Sequence, residues 1–477
     1  MLVAGVDSST QSCKVVLCDA DDGTVVATGS APHPDGTECD PVAWWTALQQ
    51  AGDGLLRRAV AVGVASQQHG MIVLDGAGAV IRPALLWNDL RSAEAAAELV
   101  TEMGGPQWWA TQTGSVPAAS FTVTKLRWLA EHEQASAART ASVLLPHDWL
   151  TWRLSSDPAL AQATGGAAAR PAEMVTDRGD ASGTGYFSPA MGEWLPELAA
   201  AAIGHPLMLP RVAKPAEVIG ETAWGAAVSA GTGDNMAAAL GLGLEPGDLV
   251  VSIGTSGTAF AVSEQPAADA SGAVCGFADA TGRFLPLVCT VNAGLVMRAT
   301  AALLGADLAG LDALALAAPA GAEGLTLLPY LDGERTPSRP SASGVLAGLT
   351  TRNASPQNMA RAAVEAVLAS LAEAADRLTE QGVAQQRVLL VGGGARSPAV
   401  CAIAPGIFAA PVIVPEPAEY VAIGAARQAA WALAGGSAPP VWPPTSAMEY
   451  AGAPQPEVRQ RHAALREQTA CWPGASS

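Results

Sequence analysis

Lysine is almost missing from this chain, and charge of either sign is sparse: 15% of the residues are charged, 44 acidic against 26 basic, for a formal net charge of −18. This balance excludes nucleic acid and acidic membrane surfaces as partners, because binding them needs a basic patch that displaces counterions. A polyanion such as ATP stays within reach if backbone amides and a cation hold it. Cysteine is scarce as well. Cys13, Cys18, Cys39, Cys275, Cys289, Cys401 and Cys471 are odd in number, widely scattered and without zinc-site or CxxC spacing. They exclude a disulfide framework and point to a reduced, cytoplasmic chain. Long apolar runs are absent too. No uncharged stretch reaches membrane-spanning length, and the N-terminus MLVAGVDSST has no basic region ahead of an apolar core, so a soluble protein is expected. The abundance of alanine and glycine is read as composition bias without functional content.

What is present is apolar residue, 49% of the chain, as in well-packed globular proteins. At 477 residues the chain is too long for one core, since single cores stop growing at about 250–300 residues. Two domains of similar size are expected.

The opening reads as a meander: strands over 2–6 and 14–18 joined by a polar turn over 7–12, then a strand over 24–28 after Asp21, Asp22 and Gly23. The design returns mid-chain, with strands over 249–253 and 259–262 around the turn 254–258. Two such units, each opening a half, suggest a duplicated domain. Between them, a strand over 60–65 and a helix over 124–130 indicate α/β architecture. Val364, Leu368, Leu371, Ala375 and Leu378 share one helical face, with Ser355 as cap, Pro356 in the first turn and Gly382 as terminator. A strand over 388–391 then leads through Gly392, Gly393 and Gly394 into another helix. The boundary between halves falls near 244–247, and beyond about Gly435 a Pro- and Ala-rich tail is expected to be peripheral.

A nucleotide triphosphate needs amide and hydroxyl donors, close backbone and a divalent cation. The turns 7–12 and 254–258 offer the donors, and Asp7 adds a carboxylate where magnesium or its bound water can sit. Each turn also reads as an ordinary hairpin connection. The Gly392 to Gly394 run lets a flat ligand lie against backbone, or is a plain strand-to-helix turn; it does not match GxGxxG. Asp234 enters an Ala-rich helix after Gly231 and Gly233, where it serves as N-cap or, kept ionised by the helix dipole, as the base of a phosphoryl transfer. Gln67, Gln68 and His69 follow a strand end, a common ligand position, and both residue types suit a polyhydroxylated sugar, though a lone His there also reads as a structural polar residue. Trp87 and Asn88, with Asp89 and Arg91 beside them, pair an apolar face with polar groups, a second combination that suits binding of a sugar. The pairs Trp44 and Trp45, and Trp108 and Trp109, are assigned to packing or surface.

Taken in order and spacing, GVDSSTQSCKV, QQHGMIVLD, RPALLWNDLR, GTGDNMAAALG, SIGTSGTAFAVSE, LPYLDGERTP, GVLAGLT and LLVGGGARSP resemble the FGGY carbohydrate kinases of the actin-like ATPase superfamily. The likeness runs from Val3 to about Arg427. It implies an α/β fold of two actin-like (ribonuclease H-like) domains, residues 1–244 and 245–435, with a nucleotide and sugar cleft between them and a tail over 436–477. It further implies Asp234 as catalytic base with Asn235 beside it, Asp7 near Mg2+, and Gln68 and His69 against the sugar. Thr10, Gln11, Ser12 and Lys14 match the first phosphate loop; Gly254, Thr255, Ser256, Gly257 and Thr258 the second; and Gly392, Gly393 and Gly394 the adenosine site. ATP and Mg2+ are the cofactors implied, a small sugar the partner, and a homodimer is admitted. The reaction implied is transfer of the γ-phosphoryl group to a ketopentose, with the 5-hydroxyl of D-xylulose expected as acceptor. Ribulose, gluconate or glycerol, and a non-catalytic sugar-sensing module, stand as alternatives. Two departures bear on specificity and loop stiffness: Gln68 replaces the familiar Met before His69, and DSSTQS lacks the glycine of Asp-x-Gly-Thr.

Overall fold

Hydrogen bonding between the first strands runs further than the turn-forming residues suggest. In the computed structural model, which describes residues 1–156 and 173–472, β1 (Leu2–Ser8) pairs antiparallel with β2 (Ser12–Asp19), and β2 with β3 (Val25–Pro32). The register Asp7 to Lys14 and Ser8 to Cys13 puts Asp7, Ser12 and Lys14 in strands and shrinks the expected turn over 7–12 to residues 9–11. β4 (Ala61–Ser66) runs parallel to β1, with Ser8 level with Ser66. The first sheet continues with β5 (Val218–Glu221) and β6 (Ala227–Ser229) in the order β5-β6-β4-β1-β2-β3, and the short β7 (Thr232–Gly233) also pairs with β4.

Successive residues of a strand face opposite sides of its sheet. Val6, Val15, Leu17, Val62 and Val64 therefore meet Trp44, Leu48, Trp149 and Leu150 on one face. Val3, Val16, Cys18 and Ala61 meet Ala422, Ala426 and Ala429 of the helix Tyr420–Ala434 on the other. That helix lies so close that a Cβ on Gly5 or Gly63 would overlap its backbone, and a Cβ on Gly424 would overlap the Ala237 carbonyl of the helix Asp234–Leu242.

A boundary does fall at 244/245, and the chain passes between the two units again further along. The first unit comprises Met1–Leu244, Glu264–Leu285 and Ala418–Pro444; the second comprises Glu245–Ser263, Pro286–Pro417 and Thr445–Ser477. The helix Tyr420–Ala434 belongs to the first unit because its small-residue face packs closely on the backbone of β1, β4 and the Asp234 helix.

In the second unit β8 (Gly247–Ile253) pairs antiparallel with β9 (Gly257–Ala261) and parallel with β11 (Gln385–Val391), after β10 (Phe284–Thr290) in the chain. The path continues through β12 (Val412–Pro415) to β13 (Ala447–Tyr450). Again the turn shortens, because Gly257 and Thr258 already pair with Ile253 and Ser252. Each unit thus opens with a hairpin whose first strand has a parallel neighbour. The helix Pro356–Glu380 carries the expected ends: Ser355 Oγ accepts from the Asn358 amide, and Gly382 follows at φ 85°. Two stretches of the largely exposed tail are anchored. β13 pairs along the edge that β12 would otherwise expose, and the helix Pro456–Gln468 buries Val458, His462 and Leu465 and forms ion pairs from Arg459 and Arg466 to Asp376 and Glu373. The cysteines form no disulfide, and among the described residues no single helix is long and apolar enough to cross a membrane.

Candidate active site

Three parallel strand ends of the first unit are level with one another: Ser8 of β1 with Ser66 of β4, and Ser66 with Gly233 of β7. The segments leaving these strands therefore gather at one edge of the sheet, where ligands of open α/β sheets bind. They are the turn 9–11, the run Gln67 to His69, and Asp234 with Asn235. The contacts agree. Asn235 Nδ2 donates to Gln68 Oε1 at 3.3 Å and to Asp234 Oδ1 at 2.9 Å, and the Asn235 amide donates to the same Oδ1 at 2.8 Å. Thr10 Oγ1 donates to Gln67 Oε1 at 3.4 Å and accepts from Trp87 Nε1 at 2.9 Å. Trp87, read as a sugar-facing ring, is thus tied to the first turn. Asn88 points its amide to the Gly36 carbonyl at 3.3 Å. Gln11 is exposed, its carbonyl taken by the His33 amide at 2.9 Å. Lys14 sits within β2 and pairs with Glu419 at 2.6 Å. Gln68 is buried, and among the described residues its Nε2 has no partner, a donor ready for a hydroxyl.

Asp234 opens its helix rather than capping it; the cap is Gly233, which has no side chain to offer. The dipole does not keep the carboxyl ionised as the sequence suggested. Burial, reinforced by the charge of Asp7, raises its pKa to about 7 against the lowering hydrogen bond from the Asn235 amide. The dipole is a surface-scale effect of about 0.3–1 kcal/mol, smaller than the loss of hydration. Asp7 is itself raised to about 6 by burial, which the Ser9 hydroxyl and Lys14 only partly offset. Two poorly solvated carboxyls, one of them raised further by the charge of the other, fit a divalent cation, whose charge would restore both to the ionised form.

In the second unit the turn 254–256 ends β8, and Gly392 to Gly394 end the parallel β11, so both again lie at one sheet edge. Gly254 N–H donates to the Ser256 carbonyl at 2.9 Å, while the Gly294 and Leu295 amides donate to the Gly254 and Thr255 carbonyls at 3.0 and 3.1 Å. Gly392 needs to be glycine: its φ is 84°, and a Cβ would stand 2.8 Å from the Ile253 carbonyl oxygen. Bare backbone at this turn is therefore built in.

Sequence reasoning passed over a buried cluster beneath the first site. His147 Nδ1 lies 2.5 Å from Asp180 Oδ2, His147 Nε2 lies 3.2 Å from Asp148 Oδ1, and Thr232 Oγ1 donates to Asp177 Oδ2 at 2.8 Å. Burial alone would lower the His147 pKa, but Asp148, Asp180 and Asp177 overcome it and raise it. His147, Asp148 and Asp180 place ligand atoms within 4.8 Å of one another. The group acts as an internal ion cluster anchoring the turn at Asp177 to Thr232, just ahead of Asp234. The signal in the sequence was the pair of motifs PHDW and TDRGD: acidic residues in a lightly charged, apolar context must find buried partners.

Comparison with known proteins agrees with this architecture. The N-terminal domain model of the FGGY family of carbohydrate kinases matches residues 2–241, and the C-terminal domain model matches residues 249–433. Xylulose kinase of Streptomyces coelicolor is 46% identical over 451 residues, covering 91% of this chain and 88% of the relative. Xylulose kinase of Streptomyces rubiginosus is 46% identical over 455 residues with the same coverage of 91% and 88%. The crystal structure of xylulose kinase from Bifidobacterium adolescentis superposes with a TM-score of 0.90 at 42% identity, covering 98% of this chain and 99% of that one. The two α/β units are therefore the two domains of an actin-like fold. Matched in order by both domain models over most of its length, the chain belongs to the FGGY family of carbohydrate kinases.

Proposed function

We propose that this chain is an ATP-dependent kinase that phosphorylates the 5-hydroxyl of D-xylulose, with Asp234 as general base. The observation that carries the reading is the Asp234 carboxyl itself. Asn235 occupies Oδ1 twice, leaving Oδ2 without a hydrogen-bond partner among the described residues, while Gln68, tied to the same Asn235 amide, keeps its Nε2 unpartnered. A pKa near the working pH suits a group that must take a proton and give it up again.

Gln68 and His69 bind the sugar and orient its terminal hydroxyl toward Oδ2. The hydroxyl proton passes to Asp234 as the oxygen bonds to the γ-phosphorus, and the bond to the β-phosphate oxygen breaks to release ADP. Asp7 would hold Mg2+ directly or through water. The ion, when bound, offsets charge on the phosphates. Thr10, Gln11, Ser12 and Lys14, like Gly254 to Thr258, are assigned to phosphate binding; Lys14 would exchange its Glu419 partner to do so. Gly392 to Gly394 offer open backbone to the adenosine. Catalysis rests on alignment and charge offset more than on covalent chemistry.

The test is ADP release across a panel of ketoses and polyols. D-xylulose should show the highest kcat/KM, by at least about tenfold over ribulose, gluconate and glycerol. A higher value on one of those, or ADP release indifferent to sugar, overturns the reading. The pH profile supplies a second expectation. The active form of Asp234 is the carboxylate, so kcat/KM should climb as pH rises and level off by about 7, the cation beside Asp7 moving the climb below the metal-free midpoint. A profile that falls over that interval removes Asp234 from the role of base.

A further inference from the structure

His69 alone, among the described non-glycine residues of the first unit, holds a left-handed backbone, with φ 67°. Such a conformation persists only where the surroundings over-determine it. They do so from several sides. His69 Nδ1–H donates to the Gly183 carbonyl at 2.6 Å, and the ring lies between Phe121 and Phe277 with centroids 4.8 and 5.6 Å away. The His69 carbonyl oxygen accepts from Thr122 Oγ1 at 3.2 Å and from Lys125 Nζ at 3.0 Å.

Lys125 is 0% exposed, an uncommon place for an amine that solvation would favour by several kcal/mol outside. Its other contact is the Ser120 carbonyl, and among the described residues no carboxylate forms an ion pair with it. The site therefore uses Lys125 as a hydrogen-bond donor rather than as a countercharge. Burial lowers its pKa to about 7, and the neutral amine keeps two N–H groups, one for each carbonyl.

We propose that Lys125 is a positioning residue for the sugar: by donating to the His69 carbonyl it holds the left-handed turn that aims Gln68 and His69 at the acceptor. This rests on the reading that those two residues face the sugar. Lys125 itself touches no reacting atom.

The experiment compares Lys125→Met, His69→Ala and the double variant, with the KM for D-xylulose, the KM for ATP and kcat measured separately. Lys125→Met keeps the length of the side chain and removes the donors. The xylulose KM should rise about tenfold, the ATP KM should stay within about twofold, and the change should vanish in the His69→Ala background. An unchanged xylulose KM in Lys125→Met, while His69→Ala raises it, overturns the inference and leaves the site intact. An unchanged xylulose KM in His69→Ala overturns the reading of the sugar site and the inference with it. A joint rise in both KM values assigns Lys125 to general structure and also overturns it. If Lys125→Met does not fold, Thr122→Val removes the second donor to the same carbonyl. The same split, smaller in size, supports the clamp there, and no change in xylulose KM contradicts it.

Discussion

Asp234→Asn is expected to lower kcat by about 10²-fold or more while leaving both KM values near those of the parent chain. Asparagine keeps the shape and the contact with Asn235 but cannot accept the proton. The same variant should unfold at a higher temperature at pH 8. The carboxyl is raised in the fold, from 3.8 to about 7; ionised Asp234 therefore opposes folding, increasingly as pH climbs from about 4 to about 7 and fully above it. Asparagine carries no such cost. At pH 4 both forms are neutral and the two melting temperatures should converge. Catalysis and stability thus move in opposite directions at one residue, as expected where a site holds a destabilised group. Near-normal turnover in this variant, or a melting temperature lower at pH 8 than at pH 4 relative to the parent, would contradict the assignment.

Gly424→Ala should have the second largest effect, although Gly424 makes no contact with a substrate. A Cβ there would overlap the Ala237 carbonyl and come within 2.9 Å of the Gly241 amide nitrogen, both in the helix that Asp234 opens. Neither backbone can yield without shifting that helix or Tyr420–Ala434. Overpacking of this kind costs about 1–3 kcal/mol, and because the displaced helix carries the base, kcat should fall together with the melting temperature. Gly76→Ala is the matched control, since a Cβ there meets nothing within 4 Å. Thermal melts and turnover of the two variants check the expectation; equal behaviour would show that the close packing of the two helices is dispensable.

The parts of the architecture carried by local signals were legible. The ends of the helix Pro356–Glu380 follow from Ser355, Pro356 and Gly382, whose preferences are properties of the backbone. The hairpins opening the two units follow from alternation and turn residues, though strand pairing reached further into both turns than residue type suggested. What was not legible depends on partners distant in sequence. The ionisation of Asp234 was misjudged because the dipole is a local feature, whereas burial and the neighbourhood of Asp7 arise from the register of β1, β4 and β7. The return of Ala418–Pro444 to the first unit depends on glycines at 5, 63 and 424, any one of which reads as ordinary. Pairing of Ala447–Tyr450 with Val412–Pro415 is likewise non-local, so the proline-rich stretch ahead of it reads in sequence as the start of a peripheral tail. The buried roles of His147 and Lys125 were invisible for the same reason: partners of both lie on other elements.

The proposed mechanism turns on Asp234 meeting the hydroxyl that receives the phosphoryl group. A crystal structure with D-xylulose and ADP bound tests it most directly. The mechanism predicts O5 of the sugar within about 2.6–3.2 Å of Asp234 Oδ2, with Gln68 Nε2 donating to another hydroxyl of the same molecule. A sugar bound elsewhere, or seated with its terminal hydroxyl turned away from that carboxyl, would contradict it.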